Sequence, residues 1–267
     1  MTKVETGTTG GIQSLDAALR LLSVMAKHHG PVSLSDLARE CGMPPSKVHR
    51  YLTSFQHAGL VAQAERSGKY DLGRAAMDLG LSAIARHDFV NRASDHMAEL
   101  AEQTGMSVLL SVWGSEGATV IRWERAETPA VTSMGLGTTL PLLNSATGRA
   151  FLAWAPPAPL HAAKEAELAR AKKTPGLARD MEPNAKGVAA LVTRIRAQGY
   201  ATVDGNFIPG LVALAAPILD WQGQAQAVAT LIGTAQEALA QGSAQSRALV
   251  AFCQAQSFAP LATPTHS

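Results

Sequence analysis

The sequence predicts an α+β protein of two domains, an N-terminal winged helix-turn-helix joined by a linker helix to an α+β domain. Three observations lead there. Residues 12–72 hold three short stretches at helical spacing followed by two β-prone runs around a polar tip. From residue 89 onward, strand-like and helical runs interleave around an antiparallel hairpin. Finally, 267 residues at 46% hydrophobic and 16% charged suffice for two separate cores, which excludes a disordered or low-complexity chain.

Residues 1–11 are polar and Gly/Thr-rich and read as a tail, as do residues 261–267. Ile12, Leu15, Ala18, Leu19, Leu22 and Met25 then form an apolar stripe that predicts a first helix, stopped by His28-His29-Gly30-Pro31. Ser33 is a good N-cap for a second helix of about two turns, with Asp36 in its first turn and Gly42 at its end. Pro44-Pro45 open a third helix, running to about Ala58, because proline lacks an N–H that would be unpaired there anyway. Its inward positions are Val48, Tyr51, Leu52 and Phe55. Ser46, Lys47, His49, Arg50 and Thr53 fall on the opposite face. Leu60–Ala62 and Tyr70–Leu72 predict a two-stranded wing, with Arg66 and Lys69 at or near its turn.

Residues 73–88 read as a linker helix in which Ala76, Leu79, Ala83 and Ile84 recur, an Ala/Leu face suited to a partner subunit. The second domain spans 89–260. A helix over Phe89–Thr104 opens it, strands follow at Ser107–Trp113, Ala118–Glu124 and Val131–Met134, and a helix returns at Ser145–Trp154. The Pro/Ala/Lys-rich stretch 156–184 reads as a short helix inside loops. A helix at Asn184–Gln198, strands at Tyr200–Val203, Val212–Leu219 and Ala225–Ile232, a turn at Asp220–Gly223 and a last helix near 243–257 complete the chain.

Composition bounds the function. A net charge of +2 is far from that of a nonspecific nucleic-acid binder, yet residues 1–88 carry ten Lys and Arg against eight Asp and Glu, while the remainder is balanced. Cys41 and Cys253 lie far apart with no CxxC or Cys/His neighbour, so neither a disulfide framework nor a metal site is expected, and the compartment expected is reducing cytoplasm. No apolar run is long enough for a membrane span or a signal sequence. Sequences of the type GxxxxGK[ST], HExxH or GxSxG do not occur, so neither an enzyme nor a cofactor is expected.

Reading base edges in the major groove requires hydrogen-bonding side chains near the N-terminal end of a helix, which Ser46, Lys47, His49, Arg50 and Thr53 supply. Arg50 suits a guanine edge or a phosphate, and Ser46 and Lys47 sit where helix amides also favour a phosphate. The bland alternative is a solvated basic face.

At several blocks the chain resembles the IclR family of bacterial transcription regulators. These are SLDAALRLL at 14–22, LSDLA at 34–38, GMPPSKVHRYL at 42–52, GLV at 59–61 and YDLG at 70–73. In the second half they are LPL at 140–142, SATGRAFLA at 145–153, QGY at 198–200, Pro209-Gly210 and AAPI at 215–218. The resemblance implies a ligand-responsive regulator that binds operator DNA, a GAF-like effector domain, and a homodimer or dimer of dimers. Lys47 departs from the threonine common in the family. The resemblance also places an effector pocket around Leu142, Asn144, Ser145, Ala146, Asp204, Phe207, Ala213, Thr230 and Ile232.

Two readings stay open at the helix after Asn144. Its amides either receive a ligand carboxylate or are merely capped by Asn144 or Ser145. Where relatives often carry Arg-Cys after Pro-Gly, this chain has Val212 and Ala213, and it keeps Asp204 but adds Asn206 and Phe207. Less charge and more apolar area favour a larger, aromatic carboxylate over the smallest keto acids. The competing function is a small-molecule-sensing or metabolic protein whose helix-turn-helix binds another protein. DNA binding that weakens with salt separates the two.

Overall fold

The computed structural model describes residues 11–28, 30–85, 87–127, 134–174, 180–205 and 207–258. The chain divides into two compact units, 1–87 and 88–267.

In the first unit, α1 (Gln13–Met25), α2 (Leu34–Cys41) and α3 (Pro45–His57) precede a ribbon of β1 (Val61–Gln63) and β2 (Tyr70–Leu72), and α4 (Arg74–Ala85) follows. Leu21, Met25, Leu37, Val48, Leu52, Val61 and Tyr70 make the core. Helix α2 is closed at both ends by chemistry its sequence announces. Ser33 Oγ accepts from the Asp36 amide at 3.2 Å, and Gly42 takes the left-handed conformation at φ 63°. Ser33 and Arg39 hydrogen bonds hold the Asp36 carboxyl below its ordinary value. Val32 exchanges two backbone hydrogen bonds of 2.8 Å with Tyr70, tying the start of α2 to the wing.

The stripe expected on α1 is corrected by the packing. Ala17, Ala18, Leu21 and Met25 are buried, whereas Ile12 is 67% and Leu15 and Leu19 are 50% exposed. Apolar residues cover most of this helix's circumference, so spacing alone did not single out the side facing the core. On α4, Met77, Leu79 and Leu81 are likewise exposed.

The second unit comprises α5 (Phe89–Ser94), α6 (Met97–Thr104), β3 (Ser107–Gly114), β4 (Gly117–Glu124), β5 (Thr139–Leu140), α7 (Ala146–Trp154), α8 (Pro157–Lys173), α9 (Ala185–Gln198), β6 (Ala201–Asp204), β7 (Val212–Leu219), β8 (Ala225–Gly233), a 3-10 turn (Gln236–Leu239) and α10 (Ala244–Gln256). Its antiparallel sheet runs β5-β4-β3-β8-β7-β6. Helix α7 covers one face with α9 packed beside it, and α6 and α10 cover the other.

Two expectations need revision here. The single helix over Phe89–Thr104 is two, α5 and α6, divided by a turn at Asp95–His96; Ala93, Met97, Leu100 and Ala101 keep helical spacing across it, so periodicity hid the break. The short helix within 156–184 is the 17-residue α8. Pro156 stands at its N-cap and Pro157 and Pro159 in its first turn, where a helix start tolerates them, and only Leu160, Leu168 and Ala171 are buried, which leaves little apolar pattern to read. Of the strand expected at Val131–Met134, residues 131–133 lie outside the described residues and Met134 is not in a strand. The outer strand β5 is two residues long, too short to show alternation.

Candidate functional site

Helix α3 presents a polar, basic outer face, most of whose side chains reach solvent. Pro44 stands at its N-cap and offers no side-chain cap, and Pro45 occupies the first turn. The Lys47 and Val48 amides bond to the Pro44 carbonyl at 2.9 and 3.1 Å, whereas the Ser46 amide has no acceptor among the described residues. Ser46, Lys47, His49 and Arg50 are exposed, Thr53 is half-buried, and Arg66 and Lys69 are exposed in the turn of the wing. Arg50 forms no ion pair among the described residues. Two of these groups are partly engaged: Thr53 Oγ1 donates to the His49 carbonyl at 3.0 Å, and Lys47 Nζ lies 5.8 Å above the Tyr51 ring. Tyr51, expected in the core, is half-buried, one edge against the core and its face beneath Lys47.

In the second unit the turn before α7 is held from three sides. Ser145 Oγ accepts from the Gly148 amide at 2.9 Å and donates to the Pro141 carbonyl at 2.6 Å. Gly148 has no side chain because none would fit: a Cβ there would fall on the Pro141 carbonyl oxygen and within 2.5 Å of Leu142 Cα. Arg149, only 1% exposed, donates from Nε to the Leu143 carbonyl at 2.8 Å, from Nη1 to the Thr202 carbonyl at 3.2 Å, and from both Nη atoms to Asp180 at 2.6 Å. Burial pushes the Asp180 carboxyl up, but the Arg149 hydrogen bonds and charge outweigh it and leave the group below its ordinary value.

Ser145 is therefore the cap. Asn144 Oδ1, by contrast, is buried with no hydrogen-bond partner. The capping bond uses the Gly148 amide, and the Ala146 and Thr147 amides have no acceptor among the described residues. Ala146 and Thr147 line a small cleft, of about 30 Å³, between α7 and the sheet, where their amides point without a partner among the described residues.

The cleft is walled by Leu109, Met134, Leu140, Val203, Ile208, Leu211, Ala213 and Ile232, with Phe207 at its edge. Its polar lining consists of Ser145 and the pair Thr147 and Thr230, whose hydroxyls meet at 2.8 Å. Of the residues the sequence pointed to, Ser145, Ala146, Phe207, Ala213, Thr230 and Ile232 come together here. Leu142 and Asn144 are buried in the turn rather than on this cleft, and Leu142 borders a neighbouring one. Asp204 is exposed at the end of β6 and accepts from Gln236 Nε2 at 3.1 Å. Sequence reasoning missed Leu109 and Val203, which face the cleft because they stand opposite Thr230 and Ala213 in the sheet. Register carries that information and spacing does not. Thr147 was within reach, as it sits in the same first turn as Ala146.

Both parts of the chain match known proteins. A family model for the IclR helix-turn-helix domain matches residues 14–65, and one for the C-terminal domain of the bacterial transcriptional regulator IclR matches residues 81–256. The chain is 31% identical to the HTH-type transcriptional regulator BhcR of Paracoccus denitrificans over 94% of its own length and 88% of that protein. It is 29% identical to the glycerol operon regulatory protein of Streptomyces coelicolor over 78% of its own length and 80% of that protein. The crystal structure of Pseudomonas aeruginosa HmgR superposes with a TM-score of 0.80 at 32% identity, covering 96% of this chain and all of that one.

Proposed function

Because the chain belongs to the IclR family of bacterial transcriptional regulators, which bind DNA, we propose that α3 reads a pseudo-palindromic operator and that a small aromatic carboxylate beneath α7 sets the affinity. The observation that carries the ligand reading is the pair of unpartnered amides at Ala146 and Thr147, opening on a cleft lined by no charged side chain. A carboxylate satisfies such amides, which concentrate the positive end of the helix dipole. The apolar walls favour a ring over a short polar chain.

The acting unit is a homodimer or dimer of dimers in the cytoplasm, with no enzymatic role, and it governs a catabolic operon; the Streptomyces relative is named for a glycerol operon. Symmetry in the protein then matches symmetry in the operator. Ligand acts on DNA only to the extent that it binds one arrangement of the paired winged helices better than another.

The test is a fluorescence-anisotropy titration of DNA from upstream of the chain's own operon, at stepped salt, with and without benzoate. We expect affinity to fall linearly on a log–log salt plot and to shift with benzoate. Ala213→Phe fills the cleft and abolishes the benzoate effect, while ligand-free DNA affinity stays within about tenfold of wild type, or ~1.4 kcal/mol. A folded Ala213→Phe chain that responds normally to benzoate would place the ligand elsewhere. Binding that ignores salt would reject the DNA reading.

A further inference from the structure

A second cleft, of about 320 Å³, adjoins the first and shares Leu140 and Phe207 with it. Trp113 and Pro141 give it an apolar wall, and its charged lining is Glu167 and Arg170 of α8 with the exposed Glu116. At its edge two successive backbone amides converge on one carboxylate. Leu142 N–H donates to Glu167 Oε1 at 2.6 Å and Leu143 N–H to Glu167 Oε2 at 2.8 Å. Paired amides of this kind form a carboxylate receptor, and here the chain's own side chain fills it.

We propose that this second cleft is a carboxylate-binding site, occupied by Glu167 in the absence of ligand, which an aromatic carboxylate enters by exchange with that side chain. Two features make the exchange feasible. The receiving turn does not depend on Glu167 for its shape, because Ser145 Oγ holds the Pro141 carbonyl, Arg149 Nε holds the Leu143 carbonyl, and α7 lies against Leu142 at Gly148. The amides thus stay in place when the carboxylate leaves. The displaced Glu167 also has a waiting partner. Arg170 is three residues on, a neighbour on the same helix face, and has no ion pair among the described residues. The Trp113 and Phe207 rings suit an arene beside the incoming carboxylate.

An internal competitor lowers apparent affinity by the fraction of time it vacates the site. Removing its charge therefore tightens ligand binding, the opposite of what loss of a purely structural tether would do. The experiment is calorimetric titration of benzoate into the full chain carrying Ala213→Phe, which closes the first cleft, with and without Glu167→Gln. The glutamine keeps the shape but sets an NH2 against one of the two amides. We expect at least about tenfold tighter binding at one site per chain, and a tryptophan fluorescence change that Trp113→Phe removes. Arg170→Gln in the same background weakens binding several-fold, since the displaced Glu167 and the incoming anion both lose their cation. Unchanged or weaker affinity in a folded Glu167→Gln chain, or tightening that leaves the Trp113 signal untouched, overturns the proposal. Should Glu167→Gln not fold, Arg170→Gln decides alone, and affinity equal to its parent overturns it. Failure of the first-cleft reading shows separately, as a stoichiometry that Ala213→Phe does not change.

Discussion

On α3 the groups offered to a partner are side chains that reach into solvent, and the helix beneath them is secured from behind by Val48 and Leu52, both fully buried. On α7 the relation is inverted. The polar groups offered there are backbone amides and two threonine hydroxyls, while Ala146, Thr147, Gly148 and Arg149 are themselves buried and hold the unit together. A face of the first kind separates recognition from stability. A cleft of the second kind fuses them, so the same substitution class has different consequences in the two units.

The largest expected effect tests that fusion. Gly148→Ala drives a methyl into the Pro141 and Leu142 backbone, which cannot swing aside as a side chain would, and the second unit should lose more than about 3 kcal/mol. Gly42→Ala in the first unit meets nothing within 4 Å and suffers only the strain of φ 63°, about 1–2 kcal/mol. Unfolding of each chain followed by calorimetry compares them. Equal losses would mean that α7 yields as easily as a loop.

Next comes the Arg149 clamp. Arg149→Met leaves Asp180 charged without its main partner, and because Asp180 remains 39% exposed the loss should be about 2–3 kcal/mol, below the full cost of breaking an enclosed pair. The pH dependence has a definite sign. The folded Asp180 carboxyl titrates below the ordinary 3.8, so its contribution is complete above about pH 4 and is lost as pH falls through the lowered value. Asp180→Asn should therefore be less stable than wild type at pH 6 and converge with it in acid. Parallel stability curves down to pH 2 would show that the clamp carries no linked proton.

The separable face gives a smaller and purely functional effect. Arg50→Ala should weaken operator binding by about 1–3 kcal/mol if Arg50 meets a base, while the unfolding midpoint stays within the ~0.5 kcal/mol typical of surface changes. Loss of stability alongside loss of binding would contradict the separation.

The same inversion explains what could be read from sequence. The α3 face was legible because an exposed helix announces itself through one period, with Val48 and Leu52 inward and Ser46, Lys47, His49 and Arg50 outward. The cap at Ser33 was legible too, because its chemistry is local, and Ser145 stood as one of two candidates before α7. The cleft was half legible. Ser145 and Ala146 sit in a recognisable block, but Leu109 and Val203 arrive through cross-strand register, and Glu167 reaches Leu142 from a helix whose sparse apolar pattern concealed its length. Long-range pairing leaves no periodic trace in any one segment. The misjudged stripe of α1 is the converse case, in which a strong periodic signal marked positions that the core did not use.

The finest test of fusion in the cleft is the hydroxyl pair. Thr147 on α7 and Thr230 on β8 are 1% and 2% exposed and bond to each other at 2.8 Å. Valine matches threonine in shape, so Thr147→Val removes a hydroxyl without opening a cavity, yet it leaves the Thr230 hydroxyl buried with its partner gone. That should cost about 1 kcal/mol or somewhat more, and Thr230→Val should cost the same for the same reason. The double variant, however, buries no orphan, and the loss should fall well short of the sum of the two, with a coupling of roughly 1 kcal/mol from the urea midpoints. Additive losses would mean that each hydroxyl finds another acceptor or a water. In that event the pair does not bind α7 to the sheet, and a ligand has no shared hydrogen bond there to intercept.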